Sequence, residues 1–327
     1  DKPPEWAVKK LENWSGQPSK GFQRYAPALY AERSDQSAAG AELAALIRDT
    51  GTPDIVRATA LSRFGRHLSA QTIDAFTAGL ADDNPIVRHA SVQSLEYVPL
   101  AARVKLAFPM LNDPVRAVRI EAARVLAAIP EGDLAKDQVA QMTKGLQEYI
   151  RAQQAMAERP EAQTNLGNLY AARGKFDEAV AAYQAAVGLD AAYVPGYVNL
   201  ADLYRATGKE SESELQLRRA AAAAPDNADV HHALGLALVR QKRMDEALQE
   251  LRLAATLSPR NAHYIYVYAV ALNSTGQSEQ AILVLQGAHN AHPDNEAILR
   301  ALVAFHRDSG NQSAARSYAE KLHAISP

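Results

Sequence analysis

The sequence predicts an all-α fold, a solenoid of antiparallel helical hairpins, and three observations carry that reading. In the second half positions recur 34 residues apart: Leu166, Leu200, Leu234, Tyr268 and Leu302 form one series, and Gly174, Gly208, Lys242, Gly276 and Gly310 another. In the first half a period of 31 residues takes Ile55-Val56-Arg57 to Ile86-Val87-Arg88 and to Ala117-Val118-Arg119. Finally, Pro225, Pro259, Pro293 and Pro327 close successive 34-residue units, where a residue with fixed φ and no N–H stops a helix. One hairpin cannot bury its apolar face alone, so such units stack on their neighbours.

Residues 1–20 open with Pro3-Pro4, after which Glu5 to Trp14 reads as a short amphipathic helix that carries both tryptophans and is ended by Ser15-Gly16. Two Trp side chains on so short a helix need a partner surface, either the first hairpin or an upstream domain. The chain opens at Asp1 without Met or a signal peptide, which reads as a mature or trimmed fragment.

Residues 21–157 begin with an Ala-rich hairpin from Phe22 to about Arg48, whose apolar faces are Phe22, Tyr25, Leu29 and Tyr30, then Leu43, Leu46 and Ile47. The 31-residue series follows, and its second helices obey the same step: Ile73 maps to Val104, Thr77 to Phe108 and Leu80 to Leu111. Asp113-Pro114 predicts a helix start with Asp as N-cap and Pro in the first turn. The segments Asp83 to Ala90 and Asp113 to Leu126 resemble the HEAT-repeat family, particularly its short bacterial form. That resemblance implies that recurring Asp and Arg side chains join successive repeats, so that Arg57, Arg88 and Arg119 are structural rather than ligand-binding.

The two periods meet in a long helical stretch, Asp137 to Ala157, with Val139, Met142, Leu146, Tyr149 and Ile150 on its apolar side. Tyr149 and Ala152 stand one 34-residue step before Tyr183 and Ala186, so this helix is expected to end the first series and to receive the second without a flexible linker. In residues 158–327 the small residues Gly167, Ala201, Gly235 and Ala269 face Ala179, Ala186, Ala247 and Ala254, which lets paired helices approach closely. The run Tyr264 to Val270 has the aromatic and β-branched composition of a strand, but the repeat register makes it a helix. Asn165-Leu-Gly-Asn-Leu-Tyr170, Gly174-Lys-Phe-Asp-Glu-Ala179 and their successors resemble the tetratricopeptide repeat (TPR) family five times over. The resemblance implies a right-handed α-solenoid of HEAT-like hairpins followed by five TPR hairpins, with a concave inner groove.

The bulk composition narrows the function. Net charge is −2 over 327 residues with acids and bases mixed, so there is no electrostatic footprint for nucleic acid or an anionic membrane, and no apolar run is long enough to span a bilayer. The absence of cysteine excludes disulfides, thiolate zinc sites, thiol nucleophiles and thioether-attached haem within these residues. No phosphate loop, nucleophile elbow or paired-histidine zinc motif is present, and the reading is not an enzyme. The paired carboxylates Asp82-Asp83 and Asp177-Glu178 fall at turns and helix starts, where they are solvated or capping groups. His231, His232, His263, His289, His292, His306 and His323 lack the i, i+4 spacing of a helical metal site, although His232 and His263 sit on successive first helices and can approach each other.

In TPR proteins positions 2, 5, 6, 9, 12 and 13 of each first helix line the groove. Here that implies Asn165, Asn168, Asn199, Asp202, Arg205, His232, Arg240, His263, Tyr266, Asn273, Arg300 and Arg307 as the peptide-binding residues. Asn offers both a donor and an acceptor, which suits a peptide backbone held extended. The basic pattern with which chaperone-binding TPRs grip a C-terminal carboxylate is absent, since Thr164, Asn168, Asn199, Asp229 and Ala233 stand at those places. The asparagine ladder of sugar-transferase TPRs lapses at Ala233, Val267 and Ala301.

The order of Pro4-Glu-Trp-Ala-Val, Ile55 to Leu61, Asp113 to Arg124 and Pro160 to Gly167 is similar to the C-terminal repeat region of bacterial exported multihaem c-type cytochromes. The resemblance implies a periplasmic, non-enzymatic scaffold, with cytoplasm as the alternative compartment. It implies no cofactor in these residues, haem in an upstream domain, and contact with that domain through Trp6 and Trp14. Two other readings are open: an accessory or substrate-presenting arm of a larger enzyme such as a glycosyltransferase, and a module that contacts metal or haem.

Overall fold

A computed structural model describes residues 25–33, 39–67 and 73–325, together with Trp6, Lys9, Lys10, Asn13 and Trp14. Among these residues all regular secondary structure is helical, with 18 α-helices and short 3-10 turns, and there is no strand. Internal contacts divide the chain into Asp1–Ala152 and Gln153–Pro327.

In the first unit the hairpin helices are α1 (Ala26–Arg33) and α2 (Ala39–Arg48), α3 (Asp54–Phe64) and α4 (Ile73–Leu80), and α5 (Pro85–Ser94) and α6 (Leu100–Ala107). These are followed by α7 (Arg116–Leu126) and the long α8 (Lys136–Gln154). Leu43, Leu61, Phe64, Phe76, Val87, Leu95, Val118, Leu126 and Met142 form one buried core, with Phe64 and Phe76 in contact at 5.1 Å between ring centroids. Phe22 lies outside the described residues. The second helix of the middle repeat is cut to eight residues and continues as a 3-10 turn, Phe108–Asn112, at Pro109, which cannot donate an N–H to the helix.

The 31-residue arginine series has a direct structural cause. Arg57 binds Asp82, Arg88 binds Asp113 bidentately at 2.7 and 3.0 Å, and Arg119 binds Glu148 at 3.0 and 3.3 Å. Each arginine therefore bridges to the following repeat, and Arg88 and Arg119 also donate to backbone carbonyls in the turn before their own helix. Burial pushes the Asp113 carboxyl up, but bonds from Arg88 and the Val115 amide and the nearby arginine charges outweigh it and hold the group below its usual range.

One expectation needs correction here. Asp113 is not the helix N-cap: Val115 is, and the Asp113 carboxylate instead accepts the Val115 N–H at 2.8 Å and caps the preceding turn. Asp82 is a capping group, as expected, accepting the Asn84 N–H at 2.9 Å, with its side chain largely buried against Arg57.

The second unit consists of five hairpins in perfect 34-residue register. Their first, or A, helices are α9 (Pro160–Ala172), α11 (Val194–Ala206), α13 (Ala228–Arg240), α15 (Ala262–Ser274) and α17 (Glu296–Asp308). The B helices are α10 (Phe176–Leu189), α12 (Glu210–Ala223), α14 (Met244–Leu257), α16 (Ser278–Ala291) and α18 (Gln312–Ile325). Tyr264 to Val270 is helical, within α15. Burial of Tyr268, Ala269, Ala271 and Leu272 against both neighbouring hairpins overrides the strand propensity of that run.

Each A-to-B turn needs a left-handed residue. Gly174, Gly208, Gly276 and Gly310 supply it, but the third turn uses Lys242 at φ 61°, held by Arg243 N–H donating to Leu238 C=O at 3.0 Å. The B-to-A turns end on N-caps: Asn227 accepts from the amides of Asp229 and Val230, Asn261 from those of His263 and Tyr264, and Asn295 from that of Ile298.

Candidate functional site

The face of the second unit that matters is built by what the packing leaves over. In each hairpin the A helix buries its Leu or Tyr series and its small position against the B helix: Gly167 lies directly under the Tyr183 ring, where an added Cβ would come within 2.4 Å of it. Positions 2, 5, 6, 9, 12 and 13 of the A helices form the A-helix face, partly or fully exposed except at the buried Thr164 and Ala301.

In the first two repeats this face is a hydrogen-bonded amide cluster. The Tyr183 hydroxyl donates to Asn168 Oδ1 at 2.7 Å, and Asn199 Nδ2 donates to the same oxygen at 3.1 Å. Burial, then the nearby Asp202 charge, pushes the Tyr183 phenol up to about 12, so it remains a donor at any physiological pH. Asn165 donates to Gln153 Oε1 at 3.1 Å. Asn168 therefore serves as a link between two repeats.

In the third and fourth repeats the face is aromatic. His232 stacks on Tyr264 at 4.5 Å and meets His263 edge-on at 5.2 Å, while the Tyr264 hydroxyl donates to Asp229. Burial, then the neighbouring His263, lowers the His232 pKa, against a smaller opposing effect of Asp229. Two imidazoles and one carboxylate gather here, but among the described residues no group of three or more His, Cys, Asp or Glu is placed to hold a metal ion. Tyr264 and Asp229 were not singled out by the sequence. Their signal was available, since Asp229 and His263 occupy the same position of successive A helices.

The remaining arginines stand on the rim. Arg205 lies 3.6 Å from Asp202, Arg240 donates to Glu210 at 3.2 Å, Arg300 pairs with Glu296 and Arg307 lies 3.8 Å from Asp308. These pairs are exposed and each contributes little, on the order of 0 to 1 kcal/mol. Tyr266 and Asn273 are half-buried on the same face. His231, by contrast, is buried and bound on both sides, to Glu250 at 2.6 Å and to the Pro225 carbonyl at 2.9 Å, so it holds a turn in place.

Three of the sequence-predicted residues meet at one cleft of ≈ 340 Å³ between α11 and α13. Asp202, Arg205 and Arg240 stand around it, and Val198, Ala201, Leu217, Ala233 and Leu236 make it apolar. The sequence reading, which looked for polar groups, missed Val198 and Leu236 although they occupy groove positions.

The comparisons with known proteins agree with this architecture. The family described as HEAT repeats matches residues 73–157, the family described as TPR repeat matches 167–208, and tetratricopeptide repeat families match 198–262 and 238–305. The chain carries both HEAT and TPR repeats. No curated protein matches it by sequence. Among solved structures, a crystal structure of MamA is 20% identical, covering 49% of this chain and 94% of that one with a TM-score of 0.44. A further MamA structure is 26% identical over 51% of this chain and 95% of that one, TM-score 0.41. YrrB, described as a TPR protein with an unusual peptide-binding site, is 20% identical over 54% of this chain and 91% of that one, TM-score 0.45. Among the described residues no helix is long and apolar enough to cross a membrane.

Proposed function

We propose that the chain is a non-enzymatic scaffold whose TPR unit holds an extended segment of a protein partner along the A-helix face, across Asn165, Asn199, Tyr266 and Arg300. The observation that carries this reading is the division of labour within each hairpin. Gly, Ala, Leu and Tyr complete the packing, and the amides, imidazoles and arginines of the A-helix face stay partly or fully exposed. An extended peptide keeps its backbone N–H and C=O groups free, and amide side chains can serve both.

The finer proposal is that these repeats belong to a larger exported multihaem cytochrome, in the periplasm, and meet its haem domain through Trp6 and Trp14. It rests on the order of sequence segments and on Trp14, which is 88% exposed. The full-length gene and cell fractionation test it: Cys-x-x-Cys-His motifs upstream and a periplasmic product are expected, and a cytoplasmic product without such motifs contradicts it.

For the groove itself, a partner recovered from the source cell by the wild-type chain should bind Asn165→Ala/Asn199→Ala more weakly by about 1 to 3 kcal/mol. Thermal unfolding should be nearly unchanged, because Tyr183 still holds Asn168. Equal binding by the double variant, with loss on substituting B-helix residues or Trp6 and Trp14, moves the interface off this face.

A further inference from the structure

The cleft between α11 and α13 is floored by Leu217; the same position is Leu again in the third and fourth repeats, at Leu251 and Leu285, so that the first of these four repeats is the exception. At the eighth position of the B helix the first repeat has Tyr183, whose phenol reaches across to Asn168, and the second has Leu217, which is buried but ends short. The third wall also differs: Ser213 stands where the other four repeats have Ala179, Ala247, Ala281 and Ala315, and it lines the cleft. The volume of ≈ 340 Å³ lies within the usual range of small ligand pockets, roughly 300 to 1,000 Å³. Its apolar walls suit a bulky hydrocarbon side chain.

The lining charges are two arginines, Arg205 and Arg240, against one aspartate, Asp202. Both arginines are exposed, Arg205 at 3.6 Å from the exposed Asp202 and Arg240 at 3.2 to 3.3 Å from the half-buried Glu210. An exposed pair of this kind is easily exchanged for a ligand carboxylate, and a guanidinium can bind that carboxylate in a fork.

On the reading that the A-helix face binds peptide, we propose that this cleft is its specificity pocket: it takes one bulky apolar side chain, and Arg205 and Arg240 hold a carboxylate next to it. The carboxylate can be an Asp or Glu side chain or the C-terminus of the partner.

The test uses the whole chain on two arrays of the same random peptides, fixed through their N-termini, one array with free and the other with amidated C-termini. Binders should carry Leu, Ile, Met or Phe within a residue or two of Asp, Glu or a free C-terminus. Selection on both arrays assigns the carboxylate to a side chain, and selection on the free-ended array alone assigns it to the C-terminus. Ala233→Phe, which fills the pocket, and Arg205→Glu/Arg240→Glu should each weaken the selected peptides by about tenfold or more, as expected for an anchor position. Circular dichroism and melting of both variants should match wild type; if Ala233→Phe fails to fold, the arginine pair decides alone. Peptides lost on Tyr266→Ala but unaffected by the pocket and arginine variants overturn the pocket while leaving the groove reading intact. Peptides insensitive to every A-helix-face substitution, or no binders at all, overturn both.

Discussion

The two halves of this chain solve the same problem, joining one helical hairpin to the next, with different chemistry. In the HEAT unit the join is polar. Arg57, Arg88 and Arg119 each reach a carboxylate in the following repeat, and Asp113 is almost fully withdrawn from solvent in the process. In the TPR unit apolar clusters such as Ala201, Leu217, Leu234 and Leu238 are joined by polar links that do not recur at the repeat period, among them Asn199 to Asn168, Tyr264 to Asp229 and Arg240 to Glu210. The difference shows where a charged residue in a repeat is informative about function. An arginine that recurs in every unit and is largely buried against an acid of the next is spent on architecture, whereas Arg205 returns only at Arg307, Arg240 has no counterpart in the other repeats, and both stay exposed beside a cleft although Arg240 pairs with Glu210 of the preceding repeat.

The comparison can be broken most forcefully at Arg88. Substitution by Met leaves the Asp113 carboxylate buried without its main partner, and should destabilise the first unit by about 3 to 5 kcal/mol in denaturant titration. The same change at Arg240 should cost less than about 1 kcal/mol. Similar losses at both sites would erase the distinction between the two kinds of arginine. Tyr149, nearly fully buried in α8 and pushed up to about 12 chiefly by burial, should lose about 3 to 5 kcal/mol as Tyr149→Ala by the usual cavity effect.

Acid should separate the units as well. In the TPR unit burial lowers the pKa of His232 and of His289, aided by His263 in the first case and by Lys321 in the second. Such groups take up a proton more readily when unfolded, so the stability they allow is complete above about pH 6.5 and declines as pH falls from there through the lower folded values. In the HEAT unit Asp113 is held below its usual range, so its contribution is present above about pH 4 and is lost only as pH falls through the folded value. Hydrogen-exchange protection factors, which remove the intrinsic slowing of exchange toward acid, should therefore fall between pH 7 and 5 in residues 228–240 and 281–306 before they do in 85–126. The reverse order contradicts this assignment.

The smallest expected effect is at the third TPR turn. Lys242 holds a left-handed conformation that the other four turns give to glycine, and Lys242→Gly should raise the melting stability by about 0.5 to 1 kcal/mol. No change, or a loss, would mean that the lysine side chain has a role of its own in the turn.

The repeat period made most of the fold legible. A 34-residue step fixes which residues of each helix are buried, and it overruled the strand-like look of Tyr264 to Val270 because burial of Tyr268 and Leu272 outweighs local propensity. Finer hydrogen bonding was not legible. Nothing in the sequence places the Tyr183 hydroxyl on Asn168, or moves Asp113 from a helix cap to the turn before it, since both depend on side chains brought together from different helices. The candidate site was legible by position but not by depth. Counting groove positions found Asp202, Arg205 and Arg240, but the cleft beside them is walled by Val198, Leu236, Ser213 and Leu217 from three helices, which come together only once the hairpins are stacked.

The central claim, that function sits on the A-helix face and not on the B-helix side, is tested most directly by a photo-crosslinking residue placed at single positions of the full chain in the source cell. With benzophenone-alanine at Leu236, which lines the cleft, the account predicts a covalent adduct to a partner; at Leu283, an exposed B-helix residue, it predicts none. An adduct at Leu283 and none at Leu236 would contradict it.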